Sequence, residues 1–186
     1  ADQWQTSDKP VQVTIHTTSL DGEGSKAQGT LKVHRLEPPD RVHRAAIQSG
    51  IWHPRGGRGG GTEPPADLSD PNSGPLGPVV AEEAFATDEE GTATKSFELE
   101  AGIYRVLLDS KDAFGKTVTA ILPLQVLDTN VDRLAMKVPF LLAAPKTRLE
   151  PDETFLAVWG TGYEAGRAYV EIEHRGKILQ KYWTPA

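Results

Sequence analysis

Apolar and polar residues alternate with a period of two along most of this chain. In "PVQVTIHT", Val11, Val13 and Ile15 are interleaved with Gln12, Thr14 and His16, the pattern of a strand with one buried and one wet face. "SLDGEGSKAQG" interrupts it with turn residues. "GTLKVHRL" resumes the alternation through Leu31 and Val33, and "DRVHRAAI" either continues that strand or pairs with it antiparallel. "VVAEEAFATD" carries a competing helical reading, but its valine pair and the "EEG" that follows favour a strand. "TATKSFELE", "GIYRVLLDS" and "KTVTAILPLQVLD" are three strand-length runs separated by "AG" and "DAFG", which predicts a meander.

A polar stretch after Asp128 reads as a linker over 129–134, and a second strand series begins at 135. Its turns are marked by "EPDE", "GTGYEAG" and "HRGK", with Gly176 placed for a tight hairpin. No amphipathic run is long enough for a stable helix. The best helical spacing, Val131, Leu134, Ala135 and Val138, is stopped by Pro139 and allows one short turn. The class is therefore all-β. Residues 9–128 supply about seven strands, enough for an antiparallel β-sandwich, with a long Gly/Pro-rich insertion at 53–78. Residues 135–186 supply only about four, so they read as the start of a second, truncated sandwich. An apolar sheet edge or face near the C-terminus is the expected consequence, with dimerisation or aggregation following from it.

Composition narrows the function classes. Eighteen Gly and 14 Pro in 186 residues suit short strands joined by many turns. Twenty basic against 26 acidic side chains give a net charge of −6, opposite in sign to the footprint of a nucleic-acid binder. The longest apolar runs fall well short of the roughly 18 to 20 residues that span a bilayer. The absence of cysteine excludes disulfide scaffolds, cysteine nucleophiles and thiolate zinc sites. An opening "ADQWQ" without Met reads as a processed or excised segment.

One block carries a resemblance. In "LEAGIYRVLLDSKDAFGKTVTAILPLQV", Gly102 permits a sharp turn into a strand, and Tyr104 two residues later can bury its ring while its hydroxyl reaches back to backbone. That is the logic of a tyrosine corner in Ig-like sandwiches. Asp112 and Gly115 mark the turn into the next strand, and Pro151 and Glu153 open a fresh series. Residues 93–163 thereby resemble the macroglobulin-type, Ig-like domains of bacterial alpha-2-macroglobulin-family proteins, large exported chains built of many sandwiches in series. The resemblance implies an extracytoplasmic location (periplasmic, cell-surface or secreted) and a non-enzymatic scaffold role. It implies neighbouring domains of the same larger chain as partners, and protease capture as a property of the intact protein. The family's thioester needs a cysteine, so that chemistry cannot reside in these residues.

Other candidate chemistry weighs less. "RGGRGGG" looks like an RNA-binding box, but Glu63, Asp67 and Asp70 follow it and remove the attraction that phosphate binding needs. "GRGGGT" lacks the lysine of a phosphate loop and runs into "EPP". Asp67, Asp70 and Asn72 offer oxygen ligands to calcium without EF-hand spacing, and Asp-Pro and Asn-Ser-Gly are also ordinary turn formers. His16 and His34 would approach each other only if their strands pair, and a solvated face explains them equally. Ser110, between Asp109 and Asp112, sits in no nucleophile elbow. No catalytic residue, cofactor or metal is expected. The alternative function is a carbohydrate-binding or adhesive module stacking sugars on Trp159, Tyr163, Tyr169, Tyr182 and Trp183, although a core or an interface would use the same aromatics.

Overall fold

The computed structural model describes residues 4–45, 67–112 and 114–185. Within them the chain is all-β, with antiparallel sheets packed as a sandwich. Six strands form the first body: β1 (Val11–His16), β2 (Gln28–Leu36), β3 (Leu76–Ala86), β4 (Thr92–Phe97), β5 (Gly102–Lys111) and β6 (Thr117–Val126). β1 pairs with β4, and the other four form a sheet in the order β3-β2-β5-β6. The predicted meander is therefore corrected. β5 and β6 form a hairpin, but β4 crosses to the opposite sheet and pairs with β1, Val11 facing Phe97 and Ile15 facing Ala93. β4 puts Phe97 into the common core, which requires its inner face to look back at the four-stranded sheet.

The alternation read from sequence sets this packing. Val11, Val13 and Ile15 of β1 are buried and their neighbours exposed. Leu31 and Val33 of β2, Phe85 of β3, Tyr104 and Val106 of β5, and Leu124 and Val126 of β6 meet them in one apolar cluster. The sheets are unequal, two strands against four, so the β6 margin overhangs. Val118 and Ala120 stand in register with Ser110 and Leu108, and both are exposed. At the other margin Lys95 of β4 reaches Glu83 of β3 at 3.3 Å.

Chain entry and exit lie together. The Ser7 amide donates to the Leu127 carbonyl, and the Leu127 amide to the Gln5 carbonyl, both at 2.8 Å, a parallel bridge just beyond β6. Edge strands β3 and β6 carry Pro78 and Pro123, which cannot donate to a further strand. "DRVHRAAI" adds no strand over its described residues: β2 ends at Leu36 and Pro38 and Pro39 follow, removing two donors where pairing would continue. The insertion is shorter than 53–78 at its far end, because β3 already begins at Leu76; residues 53–66 lie outside the described residues.

Tyr104 makes the expected corner. Its ring is 2% exposed and its hydroxyl donates to the Glu100 carbonyl at 2.8 Å, while the Arg35 guanidinium lies 5.9 Å from the ring centroid. Burial raises the phenol above its ordinary pKa, with Arg35 opposing and Glu100 adding to the shift. A folded value above the unfolded one means that the neutral phenol's contribution is complete below the ordinary tyrosine range, roughly pH 10. That contribution disappears as pH climbs through the folded value. Tyr104→Phe should lose about 1 kcal/mol in urea unfolding at neutral pH and flatten the alkaline fall in stability. An unchanged alkaline profile would contradict the corner's role.

The remainder forms two separate antiparallel pairs, β7 (Leu141–Ala143) with β8 (Val158–Gly160), and β9 (Tyr169–His174) with β10 (Lys177–Trp183). Arg175 and Gly176, both at positive φ, make the β9–β10 turn, as a two-residue hairpin requires. A second, smaller cluster, Leu127, Met136 and Val138 with Trp4, Ile103, Leu134 and Leu141 packed against it, joins this part to the sandwich. The helical turn allowed near the linker is absent. Residues 129–138 form bends, because Asp128 takes the Asn130 amide at 2.9 Å in an Asx turn that competes with helix. The one helical turn among the described residues is the 3-10 turn Pro71–Ser73.

Candidate functional site

The calcium candidates Asp67, Asp70 and Asn72 precede and form this 3-10 turn. Asp67 accepts from the Ser69 amide at 2.9 Å and the Ser69 hydroxyl at 2.6 Å. The Ser69 hydroxyl first, then its amide, holds the exposed Asp67 carboxyl below its ordinary pKa, against a smaller opposing effect of desolvation. Asp70 accepts from the Asn72 amide at 2.9 Å and the Asn72 side chain at 3.2 Å, capping the turn. The Asn72 carbonyl accepts from the Arg105 guanidinium. The carboxylates thus serve as local turn formers, and no group of three or more His, Cys, Asp or Glu suited to a metal occurs among the described residues.

The remaining polar candidates do not converge. His16 and His34 belong to different sheets; the first lies 3.3 Å from the Thr92 hydroxyl and the second 3.1 Å from the Gly77 carbonyl. Ser110 donates to the Gln28 carbonyl at 2.8 Å. Asp112 takes the Phe114 and Lys116 amides at 2.9 and 2.8 Å, holding the β5–β6 turn. Neighbouring Asp109 points to the other face of the sheet, as strand alternation requires.

The aromatic residues divide into two groups. On the β9–β10 hairpin, Tyr169 and Trp183 face each other in register with ring centroids 5.1 Å apart and planes tilted by 46°. The Arg167 guanidinium lies 5.5 Å from the Trp183 centroid. Tyr182 pairs with Val170 on the opposite face. Trp159 lies on β8 across from Leu142, and Tyr163 follows in the next loop, with the Arg44 guanidinium 5.8 Å from its ring.

That loop is firmly held. The Gly162 amide donates to the Val138 carbonyl at 2.8 Å, and the Thr161 hydroxyl donates to the Pro139 carbonyl at 2.9 Å while accepting from the Tyr163 amide at 3.3 Å. A Cβ on Gly162 would run into the Met136 carbonyl, so glycine alone allows this approach.

The apolar surface expected near the C-terminus is found, and it extends beyond the last hairpin. Phe140, Leu142, Phe155, Leu156, Ile178 and Leu179 are all exposed, and every residue of β10 lies open to solvent. The sequence signal was available in the apolar residues of "VPFLLAAP", "ETFLAVW" and "KILQKYW". Periodicity does not say whether such residues are covered, so it could not mark them as surface.

Three cavities accompany these elements. One of about 360 Å³ lies where Pro38, Pro39, Pro71 and Pro75 meet Met136 and Val138, with Lys137 donating to the Asp40 carbonyl at 2.8 Å nearby. One of about 570 Å³ runs between Leu122 and Pro123 of β6 and Leu142 and Phe155. The third, about 380 Å³, holds Trp159 and Tyr163. No family model, curated protein or solved structure matches the chain.

Proposed function

We propose that this chain is a non-enzymatic structural and interaction module of a larger, exported alpha-2-macroglobulin-like protein, in which a closed sandwich carries an open β surface onto a neighbouring domain. Protease capture would then belong to the intact protein and not to any residue here. The observation that carries this reading is the contrast between the two parts. Residues 9–128 bury a shared core of Val, Leu, Phe and Tyr side chains, whereas β7–β10 form two unjoined pairs with Leu179 63% and Trp183 58% exposed. Apolar surface of that extent marks an interaction site.

Edge pairing is disfavoured there, because the β10 register shifts between Ile178 and Gln180 and Lys177 and Lys181 flank the irregularity. Bulges and lysines protect edges. The hairpin's faces are the surfaces left to bury, against a neighbouring sheet at about 10 Å. The protein alone should bind a hydrophobic dye and self-associate with rising concentration, as measured by light scattering after gel filtration. The double variant Ile178→Lys, Leu179→Lys should lose both properties while keeping its circular dichroism. A strictly monomeric protein that ignores the dye would reject the module reading.

A further inference from the structure

The cleft holding Trp159 and Tyr163 has the makings of a ligand site that is separate from the β9–β10 surface. One wall is Asp128 and the linker that follows it, with Asp132 and Arg133, and the other is the pinned loop, with Tyr163 and Glu164. Trp159 lies between them on β8. Both aromatic residues are half-buried, and the two hydrogen bonds that tie the loop to Val138 and Pro139 hold one wall in place before anything binds. Such preorganisation lowers the cost of binding.

The polar groups are the informative part. Among the described residues, Asp132, Arg133 and Glu164 make no ion pair or side-chain hydrogen bond, although they line one cleft of about 380 Å³. Asp128 already uses an oxygen on Asn130. The cleft therefore combines aromatic surface with donors and acceptors that have no internal task, the mixture that fixes a ligand's orientation.

Three lining carboxylates, Asp128, Asp132 and Glu164, outnumber the Arg133 guanidinium and the Arg44 guanidinium beside Tyr163, so the net charge is negative and disfavours phosphates and uronic acids. Mixed polar and apolar walls also fit a lipid chain poorly. A neutral saccharide meets both demands. Its C–H faces lie against indole and phenol, and its hydroxyls bond to carboxylate and guanidinium, bonds stronger than those between neutral groups.

We propose that this cleft, between the 129–134 linker and the 160–166 loop, binds a neutral saccharide on Trp159 and Tyr163, with Asp132, Arg133 and Glu164 bonding its hydroxyls. The inference is independent of the docking role assigned to β9–β10. Its test is affinity electrophoresis of the whole chain in gels containing laminarin, galactomannan, soluble xylan or polygalacturonate.

Retardation by at least one neutral polysaccharide and none by polygalacturonate is expected. Trp159→Ala should abolish it. Asp132→Ala alters an exposed residue without a partner among the described residues, so it should stay folded by circular dichroism and weaken binding about tenfold. Trp183→Ala should leave binding unchanged. No retardation by any neutral polysaccharide, or retardation that survives Asp132→Ala, overturns the proposal. Loss on Trp183→Ala with Asp132→Ala neutral would place any binding on the hairpin and equally overturn it.

Discussion

Leu31→Ala should destabilise the protein by about 3 kcal/mol, read as a lower urea midpoint at unchanged slope. Leu31 is 1% exposed and sits on β2, which is paired on both sides, by β3 and by β5. Its side chain lies in the cluster with Val33, Phe85 and Val106. Strands fixed on two sides cannot close over the space left behind, so the loss combines lost transfer energy with an unfilled cavity. Ile121→Ala removes a similar volume from β6, where the side chain is 65% exposed, and should change stability by no more than about 0.5 kcal/mol. Equal effects for the two would show that the sandwich core is not where the structure places it.

Gly91→Ala should lose at least about 2 kcal/mol. Gly91 has φ of 72°, a left-handed conformation that costs an L-residue roughly 1 kcal/mol. Its missing Cβ is also the space occupied by the Thr17 carbonyl, which accepts from the Ser25 amide at 3.0 Å. The Gly91 carbonyl in turn accepts the Thr17 amide at 2.8 Å. The Thr17 hydroxyl bonds to the Ser25 carbonyl and lies 3.1 Å from that of Thr87, and the Thr87 hydroxyl accepts from the Ala27 amide at 2.8 Å. Moving one carbonyl thus disturbs the polar network that closes this end of the sandwich. Gly115, at φ of 79° with nothing near its would-be Cβ, supplies the control. Gly115→Ala should show the conformational cost alone, about 1 kcal/mol, and equal losses at the two sites would contradict the crowding at Gly91.

These expectations mark how far the sequence could be read. Strand identity was legible wherever alternation was strict, as in β1, and the tyrosine corner was legible because Gly102 and Tyr104 have a fixed local geometry. Partner choice was not. β4 could have continued a hairpin with β5, and its transfer to β1 depends on burying Phe97 from the opposite side, a long-range fact that no local pattern encodes. The same limit applies at the candidate sites. Trp159 and Tyr163 were visible as types, and Glu164 adjoins Tyr163, but Asp132 and Arg133 come from a linker some thirty positions upstream, brought close by the packing of Leu134 and Met136. Asp67, Asp70 and Asn72 are close in sequence, and the two carboxylates bond to the residues that follow them in the turn.

The parallel bridge between residues 5–7 and Leu127 has a mechanical consequence. From Thr6 the chain runs back toward its N-terminus, and from Leu127 it runs forward toward the second body, so a pull on the two ends draws these neighbours apart along the strand direction. The hydrogen bonds on either side of Leu127 are then loaded together in shear and do not peel one after the other. Resistance to such a pull is governed by the unfolding rate and not by equilibrium stability. A sandwich fastened this way transmits tension past its core, a useful property for any chain that strings such bodies in series.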